Sequence, residues 1–85
     1  MEIEFSDSFR KQYRKANKKI KTVFYQRLKL FRQDPYHPLL RNHPLAGKYR
    51  EYRSINITGD WRAIYSQKDN FILFHLLGTH NQLYK

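Results

Sequence analysis

An 85-residue chain with 17 Lys and Arg against 7 Asp and Glu carries a formal charge of +10 and contains no cysteine. Its length allows one domain that buries only roughly 60–65% of its unfolded surface, and the missing thiols exclude disulfides and thiolate metal sites as supports for so thin a core. Both halves are basic, with ten cations against four acids in residues 1–34 and seven against three afterwards, which points to a polyanionic partner, nucleic acid or an acidic protein.

Residues 1–5 alternate, Ile3 and Phe5 against Glu2 and Glu4, with the two-residue period of a half-buried strand. Ser6-Asp7-Ser8 then offers capping oxygens, and Asp7 suits the positive end of a helix dipole. Phe9, Tyr13 and Ala16, followed by Ile20, Val23, Phe24, Leu28 and Phe31, form one apolar stripe with Leu30 beside it. A single helix over residues 7–33 would run roughly 40 Å, whereas a globule of this size is only about 30 Å across. The stripe is therefore expected to break near Asn17, a residue tolerant of the left-handed cap conformation, and to form a helix hairpin ending at Asp34-Pro35.

Residues 35–47 hold all three prolines with His37, His43 and Gly47, and read as a surface loop. Lys48 to Ile57 is strand-like, Thr58-Gly59-Asp60 turns, and Trp61 to Ser66 returns with Trp61, Ala63 and Tyr65 on one face and Arg62 and Ile64 on the other. After a turn at Lys68-Asp69-Asn70, Phe71 to Leu77 is apolar on both faces, as suits a covered central strand. The order β-α-α-β-β-β predicts a single α+β domain over residues 1–85, an antiparallel meander packed on a helix hairpin with its other face partly open. The longest unbroken apolar run, Phe71-Ile72-Leu73-Phe74, is far below the ~20 residues of a membrane span, so a cytoplasmic protein with no membrane partner is expected.

Off the apolar stripe, Arg10, Lys11, Arg14, Lys15, Lys18, Lys19 and Lys21 make a basic face suited to phosphate contacts, although cation-rich helix faces are also ordinary solvated surface. His43, Asp60 and His80 are the candidates for proton transfer near neutral pH, and the turn-forming Gly47, Gly59 and Gly78 stand near them. Taken singly, such residues more often cap or face solvent, and spacing alone does not bring three loops together. No short ligand spacing indicates a metal, and no Gly-rich phosphate loop or other cofactor motif is present. His37 and His75 read as structural, His75 as a neutral, hydrogen-bonded residue inside an apolar strand.

RNA cleavage needs no protein nucleophile, because the substrate brings its own. The 2′-hydroxyl attacks the adjacent phosphate once a base takes its proton, an acid protonates the leaving 5′-oxygen, and a cation meets the charge that builds on the phosphorane. Two histidines, an aspartate and arginines are a sufficient set for this metal-independent chemistry.

His43-Pro44-Leu45-x-Gly47, Tyr52-Arg53, Asp60-Trp61-x-x-x-Tyr65 and Gly78-Thr79-His80-x-x-Leu83-Tyr84, in this order and at this length, resemble the RelE/ParE toxin superfamily and most closely its YafQ branch. The resemblance covers the whole chain and is specific in residues 43–84. It implies a RelE-like fold and a ribosome-dependent mRNA endonuclease, the toxin of a type II toxin–antitoxin pair, silenced by a cognate antitoxin. Its pattern puts catalytic roles on His43, Asp60, His80 and Tyr84, with Trp61 in support: His80 as acid, His43 or Asp60 as base, these assignments being exchangeable, and Tyr84 stacking on or orienting a base. Two positions depart from the pattern: Asn56 stands where a histidine is expected, and Leu76 where an arginine is expected. Arg53 or Arg62 is the expected replacement cation. The same fold also admits a ParE-like gyrase poison without nuclease activity, or a catalytically weakened RNA- or ribosome-binding module.

Overall fold

The computed structural model describes residues 1–84, arranged as β1 (Glu2–Phe5), α1 (Asp7–Lys15), α2 (Lys18–Gln33), β2 (His43–Pro44), β3 (Arg53–Asn56), β4 (Trp61–Lys68), β5 (Phe71–Thr79) and α3 (His80–Leu83). Short 3-10 helices at Pro38–Leu40 and Gly47–Tyr49 interrupt the loops on either side of β2. The strands form one mixed sheet in the order β1-β5-β4-β3-β2, with β1 parallel to β5 and the other pairs antiparallel. The expected α+β architecture is therefore present, enlarged by a fifth strand and a third helix. Among the described residues no helix is long and apolar enough to cross a membrane.

Local chemistry explains the boundaries. Ser6 caps α1 by accepting from the Phe9 amide, and its hydroxyl also donates to the His75 carbonyl at 2.7 Å. The helical run does break at Asn17, but for a different reason from the one expected. Ala16 ends α1 in extended backbone, and Asn17, at φ −70° and ψ 164°, is the N-cap of α2, its Oδ1 accepting from the Ile20 amide. No left-handed residue is needed at the junction. The strand expected over Lys48 to Ile57 is also shorter. Gly47, at φ +64°, starts a 3-10 turn through Tyr49, and pairing begins only at Arg53.

Residues opposite one another across the strands share a face. Phe5, Phe74, Tyr65 and Arg53 form one row, and Leu77, Ala63 and Ile55 the next, all on the side covered by α1 and α2. Phe74 lies at the centre, its ring centroid 5.5–5.9 Å from those of Phe5, Phe9, Phe24, Phe31 and Tyr65. The opposite face carries the rows His43, Ser54, Ile64, Leu76 and Asn56, Arg62, Gly78.

Pairing skips His75: Ile64 faces Leu76 while Tyr65 faces Phe74, so β5 carries a bulge. Beyond the end of β1, α1 completes the exposed edge of β5, since Ser6 donates to the His75 carbonyl and Gln12 Oε1 accepts from the Leu77 amide at 2.7 Å. The His75 ring is half-buried, 2.8 Å from the Ser66 hydroxyl and 4.7 Å from the Tyr52 ring centroid. Burial lowers its pKa from the ordinary 6.5. In acid the unfolded chain takes up a proton that the folded chain resists, so stability should fall as pH drops through the unfolded value and level off below the lowered one. Urea denaturation at pH 7.5 and 5.5 checks this: a His75→Gln variant should lose less stability than the parent over that interval.

Candidate active site

The face opposite α1 and α2 is partly open, and its opening is a cleft of about 780 Å³. Three separate stretches of chain meet there. The loop before and after β2 gives Arg41, Asn42, His43, Leu45, Ala46 and Tyr49, the sheet gives Asn56 and Arg62, and the last turn gives His80 and Tyr84. Two arginines and two histidines face the cleft and, among the described residues, no carboxylate lines it, so it suits an anionic ligand.

His43 is exposed at the start of a two-residue strand, held extended by the following Pro44. Its Nδ1 lies 2.8 Å from the Arg41 carbonyl. Asn42, between them, is clamped on three sides: its Nδ2 donates to the Pro35 carbonyl at 3.0 Å and to the Tyr65 hydroxyl at 2.6 Å, and its Oδ1 accepts from Arg53 Nε at 2.7 Å. Burial raises the Tyr65 pKa while the Asn42 hydrogen bond opposes it, so the phenol stays protonated as part of this clamp.

His80 is the first residue of α3, a single turn fixed by a capping box in which the Thr79 hydroxyl accepts from the Gln82 amide and Gln82 Oε1 accepts from the Thr79 amide. The His80 amide donates to the Asp60 carbonyl at 3.0 Å, tying the turn to the β3–β4 connection. Gly78 allows this reversal, since a Cβ there would sit 3.0 Å from Gln82 Oε1 and 3.3 Å from Leu83 Cδ2. The rings of His80 and Tyr84 are 4.7 Å apart, and Tyr49 sets its edge against Tyr84 at 6.2 Å while its hydroxyl donates to the Leu83 carbonyl.

Of the residues singled out in the sequence, the structure gathers His43, His80, Tyr84, Asn56 and Arg62 around this one cleft. It leaves three others out. Asp60 is exposed in the β3–β4 turn and meets α3 only through its backbone carbonyl. Trp61 packs against the main core cluster. Arg53 is in the Phe74–Tyr65 row facing α2, with its guanidinium 5.4 Å from the Tyr36 ring centroid and bonded to Asn42. It is therefore a brace for the His43 loop, and the expectation that it supplies positive charge to the cleft does not fit its place. The basic residues Arg10, Lys11, Arg14, Lys15 and Lys18 are exposed on α1 and the start of α2, apart from the cleft lining.

The family model for the bacterial toxin of type II toxin–antitoxin system, YafQ, matches residues 1–85. The chain belongs to the YafQ family. A relative, mRNA interferase toxin YafQ of Escherichia coli K12, is 29% identical over 87 residues, covering 98% of this chain and 95% of its own. The crystal structure of YafQ from Escherichia coli BL21(DE3) superposes with a TM-score of 0.85 at 26% identity, over 99% of this chain and 98% of that one. YafQ in the Escherichia coli DinJ–YafQ complex gives a TM-score of 0.72 at 27% identity, over 99% and 98% of the two chains.

Five lining residues of this YafQ-family chain's cleft, Arg41, Asn42, Leu45, Ala46 and Tyr49, are not among the sequence candidates. Arg41 and Asn42 are ordinary polar loop positions by sequence, and Tyr49 falls in a stretch that reads as strand. Only α3 had a legible marker, the spacing Thr79-x-x-Gln82 of a capping box. Of the two departures, Asn56 lines the cleft, while Leu76 is half-buried on the same sheet face outside its lining.

Proposed function

We propose that this protein is a ribosome-dependent mRNA endonuclease, the toxin of a type II toxin–antitoxin pair, and that it cuts by attack of the RNA 2′-hydroxyl on the adjacent phosphate. The observation that carries the reading is the convergence of His43 and His80 on one cleft that Arg41 and Arg62 also line. Two imidazoles across a phosphate are enough for the proton transfers. One takes the 2′-hydroxyl proton, and the other returns a proton to the departing 5′-oxygen, leaving a 2′,3′-cyclic phosphate and a 5′-hydroxyl.

His80 serves as the acid and His43 as the base. Support for His43 over Asp60 in that role is the place of Asp60 outside the cleft lining. Arg62 and Arg41 supply positive charge. One amino group of Arg62 is occupied by the carbonyls of Thr58, Gly59 and Trp61 at 3.0–3.3 Å, which holds the side chain at the cleft wall and leaves the rest of the guanidinium for phosphate. Tyr84, steadied by Tyr49 and by the His80 ring, presents an aromatic face on which an unpaired base can stack. Asn56 offers a hydrogen bond where a proton-transferring histidine would otherwise stand.

The partner that silences the protein is a cognate antitoxin, as the DinJ–YafQ complex suggests. An acidic antitoxin segment would meet the exposed cations of α1 and early α2. The test is mapped cleavage of an mRNA incubated with the purified protein, with and without translating ribosomes. Cuts within the coding region that require ribosomes and leave cyclic-phosphate ends support the proposal. Intact mRNA in both arms, or inhibition of DNA gyrase in its place, overturns it.

A further inference from the structure

We infer that Arg41 is a positioning residue for His43, and that its backbone carbonyl is what makes this histidine the base. Arg41 ends the Pro38–Leu40 turn at φ 46° and ψ 45°, in the left-handed region that a non-glycine residue seldom occupies. That conformation turns its carbonyl toward the His43 ring, 2.8 Å from Nδ1. A carbonyl oxygen only accepts, so Nδ1 must carry the hydrogen, and in the neutral imidazole the lone pair then sits on Nε2 at the opposite edge of the ring. This is the protonation pattern a general base needs, and it leaves proton donation to His80.

The three residues in a row are each fixed by a different device. The Arg41 backbone is set in the left-handed region, the Asn42 side chain is held by Pro35, Tyr65 and Arg53, and His43 is kept extended by Pro44. An uncommon conformation persists only where its surroundings over-determine it, and such places cluster at functional sites. Here the conformation does two things: it closes the Pro38–Leu40 turn, the Arg41 amide donating to the Pro38 carbonyl at 3.2 Å, and it brings the Arg41 carbonyl to His43. The inference rests on the cleft being a proton-transfer site, and extends that reading to which imidazole accepts and what holds it ready.

The experiment has two readouts. Nitrogen-15 NMR of the histidine rings in the intact protein, at a pH where His43 is neutral, should show Nδ1 protonated and Nε2 bare; the reverse pattern overturns the inference whether or not RNA is cut. Arg41→Gly and Arg41→Val then separate the carbonyl from the guanidinium, since both lose the charge but only valine resists the left-handed backbone. Arg41→Gly should keep the parent's ring pattern, whereas Arg41→Val should lose it and cleave ribosome-bound mRNA with kcat about tenfold or more below the glycine variant at similar KM, as expected when a general base is no longer held in its working form. Equal ring patterns in the two variants overturn the inference. A parent protein with the expected ring pattern but no nuclease activity would instead count against the proposed reaction alone.

Discussion

Replacing His80 with alanine should lower single-turnover cleavage of ribosome-bound mRNA by roughly 10²–10⁴-fold, the contribution of one positioned acid. Stability should move by no more than about 0.5 kcal/mol, as at most exposed positions. The two effects separate because the structural duties of residue 80 belong to its backbone: its amide donates to the Asp60 carbonyl and its carbonyl accepts from the Tyr84 amide. The imidazole itself is exposed and lies against the Tyr84 ring. Single-turnover kinetics on programmed ribosomes, with a thermal melt of the same preparation, measure both quantities. Cleavage at the parent's rate in a folded His80→Ala protein would remove this residue from the chemistry.

The largest expected effect on stability is at Phe74. Phe74→Ala should cost about 3–5 kcal/mol, the usual range for emptying a fully buried aromatic site. Phe74 is 0% exposed and meets five other rings, drawn from β1, both long helices and β4. A domain of this length is stable by only about 4–13 kcal/mol in total, so the melting temperature should fall by roughly 15 °C or more. Phe71→Ala is the internal control. It removes the same side chain from the same strand at a position 39% exposed, and should cost less than about 1 kcal/mol. Urea unfolding of the two variants beside the parent makes the comparison, and similar losses would mean that the core is not organised around Phe74.

The elements that could be read from the chain are those whose signal is local. The period of Phe9 through Phe31 and the oxygen of Ser6 mark the helices, with the break at Asn17 legible but not its capping role, and alternation over Trp61 to Tyr65 assigns both faces of β4. What escaped depends on partners distant in sequence. Nothing in Ile3 or Phe5 says that β1 lies parallel to β5, and only the register Arg53 to Tyr65 shows that Arg53 faces the helices while Arg62 faces the cleft. Of the residues singled out in 43–84, His43, Asn56, Arg62, His80 and Tyr84 line one cleft. Yet Asp60 lies outside the cleft that its motif suggests, because the turn presents its carbonyl to α3 and leaves the carboxylate in solvent. Arg41 carries no mark at all, since arginine is an unremarkable loop residue until its φ is known.

The parallel pairing of β1 with β5 also constrains the order in which the molecule can assemble. β5 lies inside the sheet, between β1 and β4, yet is synthesised after β1, α1, α2 and β4, all of which it joins. Until it emerges, the aromatic side chains of the helix hairpin lack the strand they pack on, and a nascent chain must carry them uncovered. The turn bearing His80 follows β5 directly, so the cleft is completed only after the core has closed. Under the proposed reaction, a copy still short of residue 80 lacks the imidazole assigned as the acid.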